Sequence, residues 1–479
     1  MRILSFLPPL SLFSSSPINQ FIEAQYPIAK QGIFDNIGSQ GAYAKEASPG
    51  VVVSAGGTTR PEYRITWIRD SSLIFKTLVD IWAAGRDDSL LPGIFDWVAS
   101  QNRLQKTPNL TGNLTTGGLG ECGFNLDESV YTGPAGRPQH DNAALRASTM
   151  LDFANGLLAR KGAKGYDYVV NTIWPIVKLD LDYVAYHWNV TGFNLWEEAR
   201  SCHFTLAAQI RGLKQGATLA RTLGQDSSHE FWTTQAENAL CFFQDFWNPE
   251  QSVIISNLNC DWECRNTVDI GSVFTAIRNF DPEAECDNAT FQPCSEQALR
   301  NLKEVVDSMR GSYTINNHRS NTSAIAIGRF ENDTYVGGNP WYIATFAAAE
   351  QLYDAVYQWN RIGKITVTSL SLPFFQQIQP AARTGTFKRD QETFKKLVSS
   401  VLRYADEFSL INKEYIPADG SMSEQFDRET GEPASAFRLS ASYASAIAAF
   451  DRRRGYVPAS WGAAEMSIPR KCKSGPSPT

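Results

Sequence analysis

The sequence predicts one all-α domain built as six helical hairpins closed into a double ring, an (α/α)6 barrel. Three observations predict it. Apolar residues recur with the helical period in roughly a dozen separate stretches. No βαβ alternation appears, and no repeat of fixed length marks a solenoid. The helical stretches are joined by Gly-, Asn- and aromatic-rich loops, where a helical scaffold can present functional side chains.

In chain order, residues 18–37 open with the helical pattern, and 71–84 follow with Ile74, Leu78 and Ile81 on one face. Residues 92–104 form a shorter stretch, and 143–160 a strongly amphipathic one. Residues 166–188 carry Pro175, which bends or splits a helix. Residues 203–224 end at a glycine, a normal helix stop. Ser227 and Glu230 have capping-box spacing before 231–247. Residues 296–310 are charged on one side, and Asn339-Pro340 offers a cap and a first-turn proline to 341–359. Residues 370–378, 391–411 and 435–450 complete the twelve.

Composition limits the function. The 479-residue chain has a net charge of −6 and no basic stripe, so nothing favours nucleic acid. No segment is long and uncharged enough to cross a membrane. The five histidines are scattered and no HExxH occurs, so neither a metal nor a cofactor is expected. Gly118–Gly123 matches G-x-G-x-x-G but lacks the strand before it and the helix after it that a dinucleotide site needs.

Secretion is expected. Residues 1–20 combine Arg2, an apolar run and small residues, as a signal peptide does, although Pro8 and Pro9 interrupt the run. Six N-x-S/T sequons, at Asn109, Asn113, Asn189, Asn288, Asn321 and Asn332, imply N-glycans on surface loops. Eight cysteines suit disulfides better than a zinc site; Cys260 with Cys264, and Cys286 with Cys294, are spaced to close short loops. The folded domain is read as 21–472, followed by a polar tail at 473–479, and a monomer is expected.

Three loop segments concentrate carboxylates beside aromatics or glycines: 63–70 (YRITWIRD), 193–198 (FNLWEE) and 418–425 (ADGSMSEQ). Two of them have a plain structural explanation. Asp70 can cap the helix after it, and Glu197 and Glu198 can be solvated acids favoured by a helix dipole. Together they describe a pocket with opposed carboxylates and flat rings, which glycoside hydrolysis requires. One carboxylic acid protonates the leaving oxygen and a second carboxylate activates water. Sugar C–H faces lie on aromatic rings, and sugar hydroxyls need fixed Arg and Asp partners.

The chain resembles the fungal glucoamylases of glycoside hydrolase family 15 from about residue 18 to 472. The resemblance is carried by TWIRDSSLIFKTLVD (66–80), GRPQHDNAALRA (136–147), NLWEEAR (194–200), GRFENDTYVGGNPW (328–341), AAAEQLYDAVYQW (347–359), DGSMSEQFD (419–427) and VPASWG (457–462). It implies an (α/α)6 barrel and an exo-acting, inverting hydrolase that releases β-D-glucose from non-reducing ends of α-1,4 and α-1,6 glucans. By position, Glu197 matches the general acid and Glu424 the general base, with Ser435 a hydroxyl supporting the base. Arg69 and Asp70 match the grip on the terminal glucose, and Arg329 an arginine reaching toward the next sugar. Tyr63, Trp67, Trp196, Tyr335 and Trp341 match pocket positions, and Glu198 a second acid near the leaving group. Cys241–Cys472 and Cys286–Cys294 match family disulfides. A bridge from Cys202 to stiffen the acid loop is a further expectation.

Three departures stand out. Where fungal members usually carry pocket tryptophans, this chain has Ala135 and Ala441, and Asn194 replaces an aspartate. Two readings follow: a hydrolase of altered linkage or leaving-group preference, or a sugar-binding homologue without turnover. Glu197 is expected to keep its proton through burial or neighbouring carboxylates, and Glu424 to stay ionised. With no starch-binding module in the sequence, granular starch is expected to be a poor substrate.

Overall fold

Thirteen α-helices form among the described residues of the computed structural model, 16–476 apart from 59, 60, 62 and 260–267. Six make an inner ring: α2 (Ile68–Ala83), α4 (Asp141–Tyr168), α6 (His203–Thr222), α8 (Gly271–Arg278), α10 (Tyr342–Ile362) and α13 (Ser440–Arg453). Each packs on the next, and α13 returns to α2, which closes the ring. Outside it lie α1 (Pro17–Phe34), α3 (Leu91–Lys106), α5 (Trp174–His187), α7 (Asp226–Phe243), α9 (Glu296–Ser308) and α12 (Glu392–Tyr415). The short α11 (Leu372–Ile378) packs on α9 and α12.

The two rings follow from side-chain pattern. Outer helices are amphipathic; α9 buries Ala298, Leu299, Leu302, Val305 and Val306, a single stripe. Inner helices are covered on nearly every side. In α10 the small run Ala347-Ala348-Ala349 is fully buried, so neighbouring backbones approach closely.

The sequence reading missed α8. It is eight residues long, holds Val273, Thr275 and Ile277, and has no side-chain cap, so neither periodicity nor a start signal marks it. The last predicted helix begins at Ser440 rather than 435, because Ser435 has φ 66° and Arg438 φ 58°, which a helix cannot include. Two predicted caps are absent. Ser227 and Glu230 lie inside α7, which starts at Asp226 with no side-chain cap bond. Asn339 instead gives its amide to Val336 O and Gln425 Oε1, and Trp341 precedes α10. Pro175 acts as expected: a π-turn at Val169–Ile173 ends the preceding run, and the proline sits in the first turn of α5.

Disulfides join Cys241 to Cys472 and Cys286 to Cys294. Cys202 is an unpaired buried thiol, so the expected brace on the acid loop does not exist. Cys260 and Cys264, and most of the 1–20 segment, lie outside the described residues; α1 begins at Pro17, capped by Ser16. Of the sequon asparagines, Asn113, Asn189, Asn288, Asn321 and Asn332 are exposed. Asn109 is half-buried, and its amide donates to Thr107 O and Gly118 O.

Candidate active site

The N-terminal ends of α2, α6, α10 and α13, with Phe274, Ile277 and Arg278 of α8, line one cavity of about 540 Å³. Those ends carry partial positive charge, which suits a site rich in carboxylates. The cavity is lined by Tyr63, Trp67, Arg69, Asp70, Trp196, Glu197, Arg329, Tyr335, Trp341 and Glu424, which come from segments far apart in the chain.

The floor is set by α2. The pairing of Thr66 and Trp67 with Phe124 and Gly123 starts the helix, placing Arg69 and Asp70 in its first turn. Arg69 Nη1 donates to Gln139 Oε1 at 2.7 Å and to Asp141 Oδ2 at 2.9 Å. Asp141 is fully buried, so this ion pair fixes the guanidinium at the cavity edge. Asp70 has no hydrogen-bond partner among the described residues and keeps its acceptor oxygens for a ligand. Burial raises its pKa; Arg69 opposes that and Asp141 adds to it.

The proposed acid sits at the tip of a hairpin. Gly192 and Phe193 pair with Arg200 and Ala199, leaving 194–198 as the connection. Asn194 organises this turn: its Oδ1 accepts from the Trp196 and Glu198 amides, and its Nδ2 donates to Glu198 Oε2 and Asn257 Oδ1. Glu197 consequently has φ 61°, a left-handed conformation held by the turn. Its Oε1 accepts from the Gly136 amide at 3.2 Å. A Cβ at Gly136 would lie 2.3 Å from the Phe193 ring, so that backbone can approach only as glycine. Gly136→Ala is expected to push this hairpin away and lower kcat by about tenfold or more, with thermal stability little changed; steady-state rates and a melting curve check this. Glu198 is drawn toward Asn194 and does not line the cavity, so it is not brought to the position expected of a second acid.

Glu424 is held differently. It is 4% exposed; its amide donates to Ala436 O, and its Oε2 accepts from Ser435 Oγ and Gln425 Nε2. Both side-chain donors use Oε2, so Oε1 remains free to take a proton. Burial pushes its pKa up to about 7 against those two hydrogen bonds, with Arg329 also lowering it and Asp70 raising it. The sequence reading expected the reverse assignment of environments. Glu197 is exposed at a loop tip, and Glu424 is the buried carboxyl.

Arg329 anchors the aromatic wall. It makes a bidentate pair with Asp333, at 2.8 and 2.6 Å. Its guanidinium lies 4.7 Å from the Tyr335 ring centre, 5.2 Å from Trp196 and 5.6 Å from Trp341. Trp196 and Trp341 meet edge-on at 5.7 Å. The Tyr63 and Tyr335 hydroxyls are hydrogen-bonded, and burial raises both phenols.

Sequence reasoning missed Tyr131, Arg278 and Glu350, all on the cavity wall. Tyr131 sits in a Gly/Pro loop, a detectable signal, while Glu350 lies with Asp354 inside the apolar run of α10. Of the replaced tryptophans, Ala441 lines the cavity, whereas at the other it is Pro134 and Tyr131, not Ala135, that do so. Among the described residues no His/Cys/Asp/Glu group could hold a metal, and no helix is long and apolar enough to cross a membrane.

Known proteins resemble this chain in sequence and fold. Glucoamylase-1 of Schizophyllum commune is 44% identical over 467 residues, 97% of this chain and 79% of that protein. The glucoamylase of Neurospora crassa is 44% identical over 461 residues, covering 95% and 72%. The solved family 15 glucoamylase from Hypocrea jecorina superposes with a TM-score of 0.92 at 44% identity, over 96% of this chain and 77% of that one. The family profile "Glycosyl hydrolases family 15" matches residues 27–451, and with these relatives the chain belongs to that family.

Proposed function

We propose that this protein is an exo-acting, inverting glucoamylase that removes β-D-glucose from non-reducing ends of α-glucans. The observation that carries it is the entry of Glu197 and Glu424 into one cavity from separate loops, with Arg69 and Asp70 at the floor. The Arg69–Asp70 pair is suited to the free hydroxyls of a chain end rather than to a chain middle. Asp70 accepts from hydroxyls of the terminal glucose, and Arg69 donates to them. Trp67, Tyr335 and Trp341 offer ring faces to the sugar, and Arg329 addresses the next unit. Glu197, exposed at the mouth side, gives its proton to the glycosidic oxygen. Glu424 Oε1 takes a proton from water as that water attacks the anomeric carbon from the opposite face, inverting it. The water oxygen becomes the 1-hydroxyl of glucose, and the departing oligosaccharide carries the proton from Glu197. Proton NMR of maltotriose hydrolysis checks this: β-glucose appears first. Initial α-glucose would overturn inversion, and no glucose would favour the binding-protein reading.

The alanine wall supports a second element of the proposal, a tolerance for leaving groups or linkages that an indole would exclude. Ala441 lines the cavity, as do Leu439, Ala444 and Pro134. Ala441→Trp is expected to raise the maltose-to-isomaltose ratio of kcat/KM by about tenfold, since a buried ring is worth of the order of 1–3 kcal/mol. An unchanged ratio would overturn it. The six sequons, five with exposed asparagines, support a secreted glycoprotein; mass mapping is expected to find glycans at those five and none at Asn109.

A further inference from the structure

A second cavity, about 180 Å³, lies at the far end of the barrel, where the inner helices end. It is walled by Thr77 and Asp80 of α2, Ala208 and Arg211 of α6, Ala448 of α13 and the loop at Tyr456–Pro458, which reaches solvent. It shares Leu73, Phe204, Ile277 and Arg278 with the sugar pocket, so the two cavities adjoin along the barrel axis.

The groups between them are charged and incompletely satisfied. Arg278, the last residue of α8, has neither ion pair nor side-chain hydrogen bond to a described residue. Glu350 Oε1, both oxygens of Asp354 and Arg452 Nε are buried without a hydrogen-bond partner. Arg452 lies 3.3 Å from Asp354 and 3.9 Å from both Glu350 and Asp80, while Lys76 pairs with Asp80 and Asp152. Leaving such groups dry costs several kcal/mol, and water, at about 30 Å³ per molecule, is the partner that fits. Burial accordingly raises the pKa of Glu350 and lowers that of Arg278. Glu350 lines the sugar pocket and Arg452 the far cavity, so each cavity presents a buried polar atom that water can satisfy.

A glucosyl unit entering a blind pocket closes the mouth through which water must leave. Each hydrolysis also consumes one water behind that closure. We propose that the barrel axis is a water passage that drains the floor of the sugar pocket as a glucosyl unit enters and refills it from the far end. Arg278 lines both cavities and stands where they adjoin. The proposal rests on the reading of the larger cavity as a sugar pocket.

Two variants outside that pocket test it. Ala448→Leu fills the far cavity from α13, and Val457→Trp plugs its outer mouth from a loop without disturbing the core. Binding of 1-deoxynojirimycin, a glucose-shaped cation, is followed by stopped-flow tryptophan fluorescence. Both variants are expected to lower the association rate constant by about tenfold, a barrier increase of about 1.4 kcal/mol, with the dissociation constant nearly unchanged. An unchanged association rate in folded Ala448→Leu overturns the passage; if that variant does not fold, Val457→Trp decides alone. A wild-type enzyme that does not bind the probe overturns the sugar-pocket reading and the passage with it.

Discussion

Glu424→Gln is expected to abolish hydrolysis while making the fold more stable at neutral pH. The rate loss follows from the role. A general base contributes of the order of 10²–10⁴ in rate, and an amide cannot accept the water proton. The stability gain follows from burial. The carboxyl is 4% exposed, and its pKa rises from 4.5 to about 7 on folding. A raised carboxyl favours the folded state most when protonated, so its contribution is complete below pH 4.5 and is lost as pH rises through about 7. Over that window the wild type loses up to about 3 kcal/mol through this group. Glutamine keeps an oxygen for Ser435 and Gln425 and carries no charge to desolvate. The variant and wild type are therefore expected to melt together near pH 4, and the variant later at pH 8. The same shift places the acid limb of the wild-type kcat/KM profile above the 4.5 of a free glutamate. Equal melting temperatures at pH 8, or an acid limb at or below 4.5, would show that Glu424 is well solvated in the empty pocket.

The double ring was legible because helical periodicity survives in long amphipathic helices such as α9 and α12, and because capping and proline signals are local. The closing of the ring through α8 was not, since eight residues buried by their neighbours need no sequence signal of their own. The carboxylates stood out because three separate loops set Glu or Asp beside aromatics or glycines, although singly such acids have ordinary structural readings. Their environments did not. Glu424 is buried by Ala436, Ser435 and Gln425, and Glu197 is exposed by the hairpin that Asn194 ties, and both effects arise from tertiary contacts. Arg278 and Glu350 were invisible for the same reason. On a helix they read as ordinary surface charges, and only ring closure turns them inward. The expected Cys202 bridge failed because its thiol faces the packed core.

Glu197→Gln separates the two carboxylates by what each does to the leaving group. Loss of the acid is expected to slow maltotriose hydrolysis by about 10²–10⁴, because a sugar alkoxide is a poor leaving group without a proton. α-Glucosyl fluoride leaves as fluoride and needs little protonation, so this variant is expected to keep its rate within about tenfold on that substrate. Glu424→Gln is expected to lose both substrates, since water must be activated in either case. The hairpin predicts that the fold tolerates the change: the Glu197 side chain is exposed, its one hydrogen bond among the described residues is from the Gly136 amide, and glutamine retains an acceptor for it. The left-handed φ of 61° is a property of the turn, fixed by Asn194 at both Trp196 and Glu198, and not of the carboxylate. Equal losses on both substrates in Glu197→Gln would move Glu197 from proton donor to a purely electrostatic or positioning role. Retention of maltotriose hydrolysis would hand the acid to another carboxyl, and Glu198, tied to Asn194 beside the cavity, would be the group to remove next.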